Sequence, residues 1–138
     1  MTSRNLKTYN RLKEQAEMDV DLTSAKSQKA ILGAYTTDFE LVEPPSLPHG
    51  GVHQGAEAWL KVHEVMRSLW HQKVWIDEVM DLPEHDLIVL YSTMEWTAKA
   101  TGKTVRFPAV EVLRFRDARI AKIEMFLQDT KVILDTLE

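Results

Sequence analysis

The second half of the chain most restricts how the sequence can fold. Four segments rich in β-branched and aromatic residues follow one another there: "KVWIDEVMD", "DLIVLYSTMEWTAKA", "KTVRFPAVEVLRFRD" and "ARIAKIEMFLQD". Such residues favour β-strands. The turn segments "LPEHD", "ATGKT" and "RDAR" separate them. Because strands joined by short turns pair with their sequence neighbours, we predict an antiparallel meander of four long strands.

Three helical patterns precede this meander. The first covers residues from about 5 to 18, the second begins behind a predicted cap at Ser24, and the third begins at Gly55. Between the second and third helices, "DFELVEP" alternates apolar and acidic residues, which predicts a short strand that Pro44 ends. Helices followed by antiparallel strands are typical of an α+β fold, with the helices on one face of a curved sheet.

Composition excludes several classes of protein. The chain has 138 residues, 44% of them hydrophobic, so we expect one domain, residues 1–138, with a full core. It contains no cysteine, which excludes disulfides, thiol catalysis and cysteine-ligated zinc. We expect a cytoplasmic protein without a membrane partner, because there is no long apolar run and no secretory signal pattern. The net charge of −4 argues against a nucleic-acid partner.

The segment "VEPPSLPHGGVHQG", residues 42–55, holds the first candidate site residues. Over an apolar cavity the Glu43 carboxylate would lose hydration, so its pKa would rise and it would become a base near neutral pH; at a solvent-facing strand end it would have no such role. We expect His49 and His53 at a pocket mouth as proton carriers or substrate contacts, or else in a flexible surface loop. No metal site is predicted, because their spacing puts both imidazoles on one face only in a helix.

A second carboxylate lies in the apolar segment "FPAVEVLRF". If Phe107, Ala109 and Leu113 share its face, the Glu111 side chain points into the apolar interior. There a protonated carboxylic acid can donate a hydrogen bond to a developing oxyanion. The alternative is that Glu111 lies on the outer face of the sheet and pairs with one of three basic residues: Arg106, Arg114 or Lys122.

Three segments, "TTDFELVEP", "HGGVHQGAEAW" and "FPAVEVLRFRDARIAKIEMFLQDT", carry a resemblance to a known superfamily. From about residue 25 to residue 130 the chain resembles NTF2-like proteins, specifically their SnoaL-like and ketosteroid-isomerase-like branch. The resemblance implies an NTF2-like (cystatin-like) cone, in which three N-terminal helices pack on a curved, mostly antiparallel sheet and enclose a pocket. It also implies a homodimer formed through the outer sheet face, where we expect exposed aromatics such as Trp75 or Trp96.

The resemblance also assigns roles to individual residues. Ketosteroid isomerases place their general base directly before a proline at the end of the first strand, which Glu43 matches. Their second acid precedes an Arg-Phe pair, as Glu111 does here, and is the standard example of a protonated oxyanion donor. A supporting tyrosine on their third helix is matched by His63. Their helix-one tyrosine has no match, because ungapped counting from Glu43 reaches Asp19 and Tyr9 fits only if the intervening segment is looped out.

These matches indicate a small-molecule enzyme that transfers a proton at carbon in an apolar carbonyl compound held in a deep pocket, by isomerisation, cyclisation or hydration. No cofactor is expected, because carboxyl groups alone can move a proton next to a carbonyl. The alternative is a non-catalytic module that binds a ligand or another protein. The expected catalytic residues are Glu43, Glu111 and His53. The expected substrate-binding residues are Tyr9, His49, Trp59, His63 and Phe107.

Overall fold

The computed structural model describes residues 1–18 and 24–138. Its helices are α1 (Arg4–Met18), α2 (Ala25–Ala34), α3 (Ala56–Leu69) and α4 (Thr130–Asp135). Its strands are β1 (Tyr35–Glu43), β2 (Gly51–Gln54), β3 (Trp70–Leu82), β4 (Leu87–Ala98), β5 (Thr104–Arg116) and β6 (Arg119–Leu127). None of the helices in these two ranges is long and apolar enough to cross a membrane.

The six strands form one sheet in the order β2-β1-β6-β5-β4-β3. All neighbours are antiparallel except β1 and β6, which run parallel. The predicted α+β architecture and the predicted four-strand meander, β3 to β6, are therefore confirmed. Strand β2 was not predicted, because its four residues follow a proline- and glycine-rich segment. It pairs with β1, where Leu41 lies opposite His53, and so satisfies the backbone groups along that edge.

Local sequence signals set several boundaries of these elements. The Ser24 hydroxyl accepts a hydrogen bond from the backbone N–H of Ser27, which confirms the predicted cap of α2. β1 ends at Glu43, directly before Pro44, as predicted. Asp129 caps α4 by accepting from the backbone N–H of Lys131. Asp19, which ungapped counting places opposite the helix-one tyrosine of the isomerases, lies outside the described residues.

The core lies between the helices and the inner face of the sheet. Alternate residues of β1, β4 and β5 point inward, among them Phe39, Ile88 and Leu113, as the strand period of two requires. Burying each such side chain contributes about 1.5–3 kcal/mol. The same alternation places Trp96 in the core at 1% exposure, so the expectation that Trp96 is an exposed aromatic is wrong. Trp75 remains 41% exposed.

Candidate functional site

Glu43 reaches the interior because it continues the inward-pointing register of β1. Phe39, Leu41 and Glu43 alternate on that face, and the Glu43 side chain is buried at 4% exposure. Burial in apolar surroundings and, second, the nearby charge of Glu111 together raise the pKa of Glu43 to about 8. A carboxyl group with this pKa exchanges its proton near neutral pH.

Glu111 points to the same interior from β5. Its cross-strand neighbours are Leu90 and Met125, and Ala109 and Leu113 on the same face of β5 are buried. Burial raises the pKa of Glu111 to about 7. Measured by its solvent-accessible surface, Glu111 is half-buried. Burial is nevertheless the cause of its raised pKa. Part of the Glu111 side chain therefore stays accessible although apolar neighbours surround its position on β5.

On the outer face of the sheet, Glu124 is the glutamate that forms ion pairs with Arg114 and Lys122. Glu124 lies 4.0 Å from the Arg114 guanidinium and 3.6 Å from the Lys122 ammonium, measured at Oε1. Glu111 forms no ion pair with either base. Its alternative placement on the outer face is therefore wrong, because the pleat sends residue 111 inward.

Two tyrosines approach Glu111 from the helical side. Tyr9 of α1 is buried, and its pKa is raised to about 12 by burial first and by the charges of Glu111 and Glu17 second. Burial and the Glu111 charge also raise the pKa of Tyr35, at the start of β1. α1 places Tyr9 in the interior. The number of residues between Tyr9 and Glu43 nevertheless differs from the spacing between the helix-one tyrosine and the general base of ketosteroid isomerases. Tyr35 was missed, because a tyrosine between a helix and a strand carries no distinctive sequence signal.

Glu43, Glu111, Tyr9 and Tyr35 share one property of their polar groups. Among the described residues, the carboxyl groups of Glu43 and Glu111 and the hydroxyl groups of Tyr9 and Tyr35 form no hydrogen bond. The cluster therefore presents free donors and acceptors to whatever occupies the interior.

His49 lies inside the fold and not at a pocket mouth. The segment after β1 turns twice, with hydrogen bonds from Leu47 N to Pro44 O and from Gly50 N to Leu47 O. These turns direct the imidazole inward, where its exposure is 3% and its centroid lies 6.0 Å from the Trp70 ring and 6.2 Å from the Trp96 ring. The expected rim position of His49 is wrong, because the prolines fold this segment inward.

His49 contacts Glu43 without forming an ion pair. The imidazole Nε2 lies 3.7 Å from Glu43 Oε2. Burial and, second, the charge of His53 together lower the pKa of His49 to about 4, while the pKa of Glu43 is raised to about 8. Both groups are therefore mainly neutral at pH 7. Both ring nitrogens of His49 and the Nε1 of Trp96 are buried without a partner in the described part of the chain. The buried Nε1 of Trp96 beside His49 was not predicted as part of the site.

His53 lies farther out, on β2. Its Nε2 lies 2.8 Å from the backbone carbonyl of His49, so this ring holds the backbone of the turn. The two histidines belong to no cluster of three or more metal-ligating side chains within residues 1–18 and 24–138. His53 is thus joined to the buried cluster through the backbone of His49.

α3 supplies two further rings to the cluster. Trp59 and His63 stack with centroids 3.6 Å apart, and His63 Nδ1 donates a hydrogen bond of 2.8 Å to the Trp59 carbonyl. Burial lowers the pKa of His63 to about 4. Trp59 also lies 6.2 Å from the Tyr35 ring, which links α3 to the tyrosine pair. On the opposite side, Phe107 lies 5.3 Å from Trp96.

Two clefts open on the surface outside the carboxyl pair. One, of about 360 Å³, lies between α2, β1 and the start of α3 and includes Tyr35 in its lining. The other, of about 320 Å³, lies between α1 and the β5–β6 turn. Neither Glu43 nor Glu111 lines them. Tyr35 is thus the member of the cluster that borders an open cleft.

Comparisons with known proteins agree with this architecture. The model of the SnoaL-like domain matches residues 20–123. An NTF2-like protein of unknown function from Burkholderia pseudomallei has a similar structure, with a TM-score of 0.81 and 19% identity over 99% of this chain and 98% of that one. A predicted SnoaL-like polyketide cyclase from Jannaschia sp. CCS1 gives a TM-score of 0.75 and 15% identity over 97% and 91% of the two chains. TerC, co-crystallized with polyporic acid, gives a TM-score of 0.78 and 18% identity over 98% of each chain. No curated protein shows significant sequence similarity.

Proposed function

This chain belongs to the SnoaL-like domain family, and we propose that it is an enzyme that transfers a proton at carbon in a small apolar carbonyl compound. One observation carries the proposal: Glu43, Tyr9 and Tyr35 all lie within electrostatic range of Glu111, and none of the four polar groups has a hydrogen-bond partner within residues 1–18 and 24–138. A carbonyl compound would supply what these groups lack, since its oxygen accepts hydrogen bonds and its adjacent C–H bond yields a proton.

In the proposed reaction Glu43, as a carboxylate, takes the proton from the carbon next to the carbonyl. Glu111, as a carboxylic acid, donates a hydrogen bond to the oxyanion that develops. Both pKa values are raised, so near pH 7 to 8 the pair holds one carboxylate and one carboxylic acid. The phenols of Tyr9 and Tyr35 are further donors. The reaction needs no cofactor, because the carboxyl pair moves the proton.

The order of the two pKa values raises the question of whether Glu43 or Glu111 is the base. Glu111 has the lower value, about 7, against about 8 for Glu43. By that order alone Glu111 would ionise first and serve as the base. We assign the base to Glu43 because it matches the position of the general base before a proline, and because the neutral His49 beside it can stabilise its ionised form.

The remaining expected residues form the walls of the proposed binding site. The ring nitrogens of His49 and Trp96 are buried and have no partner in the described part of the chain. Trp59 and His63 are half-buried, so we place the entrance beside their stacked rings. His53 holds the turn that carries His49 and acts on the reaction through it, while Phe107 packs behind Trp96.

We also propose a homodimer that forms through the outer face of the sheet. Tyr91, Val110 and Phe126 lie directly opposite one another on β4, β5 and β6 and form an apolar row across that face. Tyr91 is 41% and Phe126 54% exposed. Contiguous exposed apolar surface of this kind marks interaction sites.

Carbon-bound hydrogen–deuterium exchange, followed by NMR on a panel of cyclic and polycyclic ketones together with polyporic acid, tests the enzyme. Wild type is compared with Glu43→Gln, Glu111→Gln and Glu124→Gln, the last being the outer-face control. Glutamine at 43 has no basicity, so we expect a loss of about 100-fold or more. Glutamine at 111 keeps an N–H donor, so we expect a smaller loss of about tenfold.

Each outcome decides between the alternatives. A larger loss in Glu111→Gln than in Glu43→Gln would show that the roles are exchanged. Exchange that survives in both variants would move the base to a histidine. Saturable binding of a panel compound without any exchange would indicate the non-catalytic ligand-binding module.

A further inference from the structure

The cleft between α1 and the β5–β6 turn is lined by an unusual set of charges. Its volume is about 320 Å³, within the range of small-ligand sites. Four cationic side chains line it, Arg4, Lys7, Arg11 and Arg119, against one acid, Asp117. The whole chain has a net charge of −4, so this cleft carries the sign opposite to that of the protein.

The ion pairing of these four cations differs from that of other surface cations. Within the described part of the chain none of them forms an ion pair. Other surface cations do, such as Arg116 with Asp38 and Lys131 with Asp135. Unneutralised positive charges held together in a concave site focus the electric field and attract anions.

Hydrogen bonds fix the walls of the cleft. The Thr8 hydroxyl donates to the Ala118 carbonyl at 2.7 Å, which ties α1 to the turn. Arg11 Nη2 donates to Thr8 Oγ1 at 3.3 Å, and Arg119 Nη2 donates to the Tyr35 carbonyl at 2.5 Å. Each guanidinium has five N–H donors. These bonds orient both arginines and leave most of their donors free.

The helix itself is arranged for a negative ligand. Arg4, Lys7 and Arg11 share one face of α1 at spacings of three and four residues, where like charges destabilise a helix. No acidic residue lies in the first turn of α1 itself, and the Asp86 carboxylate near that turn accepts a hydrogen bond from the Asn5 amide at 3.0 Å. An anion bound in the cleft would relieve the repulsion among Arg4, Lys7 and Arg11.

We propose that this cleft binds a small multivalent anion bearing phosphate or pyrophosphate groups. The forks of the arginines match phosphate oxygens bidentately, and the excess of positive charge favours pyrophosphate over singly phosphorylated ligands. This site is separate from the Glu43–Glu111 pair, and it stands whether or not that pair is catalytic.

Isothermal titration calorimetry of the full chain with pyrophosphate and with inorganic phosphate tests the proposal. At low salt we expect pyrophosphate to bind with a Kd below about 1 mM and at least about tenfold more tightly than phosphate. The double variant Lys7→Gln, Arg11→Gln removes two of the four cations and should weaken pyrophosphate binding by about tenfold or more. Lys13→Gln is the matched control, because Lys13 is exposed on α1 and lies outside the cleft.

Circular dichroism spectra of both variants establish that they fold. Weakening in the double variant together with unchanged binding in Lys13→Gln would support the site. Equal weakening in both would indicate a general charge effect and overturn it, as would the absence of pyrophosphate binding to the wild type. Binding to vesicles of acidic phospholipid without binding of free pyrophosphate would also overturn it, since it would show a lipid surface to be the ligand.

Discussion

The imidazole Nε2 of His49 lies 3.7 Å from Oε2 of Glu43, and both side chains are buried. An ion pair at this distance would raise the pKa of the histidine and lower that of the glutamate. Burial has the opposite effect here, because it lowers the pKa of His49 to about 4 and raises that of Glu43 to about 8. Two neutral groups therefore face each other at pH 7, and each is able to gain or lose a proton when a ligand enters.

The raised pKa of Glu43 makes stability depend on pH. In the unfolded chain the carboxyl ionises near its ordinary pKa of 4.5, whereas in the folded protein it keeps its proton until about pH 8. The stability contributed by the protonated form is therefore lost as pH rises from about 4.5 through 8. Between about pH 5 and about pH 9 we expect wild type to lose on the order of 1–4 kcal/mol more unfolding free energy than Glu43→Gln. Urea unfolding at both pH values checks this, and identical losses would show that Glu43 ionises normally in the fold.

Two buried tryptophans differ in one hydrogen bond. Trp70 Nε1 donates to Thr136 Oγ1 at 2.9 Å, whereas Trp96 Nε1 has no partner among the described residues. Replacing either by phenylalanine removes a similar volume from the core. We expect Trp96→Phe to cost about 1–2 kcal/mol less than Trp70→Phe, because it also removes an unsatisfied donor. Thermal denaturation of the two variants measures the difference, and equal costs would show that Trp96 N–H is hydrogen-bonded in solution.

Gly50 allows the turn that carries His49. A Cβ atom at this position would lie 2.2 Å from the Pro44 carbonyl oxygen, well inside contact distance. We expect Gly50→Ala to destabilise the protein by about 1–3 kcal/mol and to displace His49. Gly33→Ala is the matched control, since nothing lies within 4 Å of its added Cβ and alanine favours α2 by about 1 kcal/mol. Chemical denaturation should move in opposite directions for the two variants; a stable Gly50→Ala would show that the turn is not tightly packed.

The proposed dimer is tested at the outer apolar row. Phe126 is 54% exposed at the end of the row, and Val52 is 62% exposed on the short edge strand β2. A glutamate at 126 would place a charge in the proposed interface, so we expect Phe126→Glu to weaken association by about tenfold or more. Val52→Glu should leave it unchanged. Sedimentation velocity reports the mass of each protein, and a monomeric wild type would rule out the dimer.

Much of the architecture follows from local sequence patterns. The Ser24 cap, the stop at Pro44 and the four-strand meander depend on residues close together in the chain, so they could be predicted. The inward direction of Glu111 also has a local cause, because alternation along β5 places it on one face with Phe107. What the alternation does not reveal is which other groups occupy that face of the fold.

The composition of the site was decided by the tertiary structure. Tyr9 and Glu111 are 102 positions apart in sequence, and only the packing of α1 on the sheet brings them into electrostatic range. His49 was expected at a rim, and its inward direction depends on the space between Trp70 and Trp96, which come from different strands. Local patterns account for the first three helices, the end of β1 and the four-strand meander, whereas for Glu43 and Glu111 they left an inward and an outward direction both possible. The fold alone decided their neutral partners and their raised pKa values, because burial is a property of the whole packed chain.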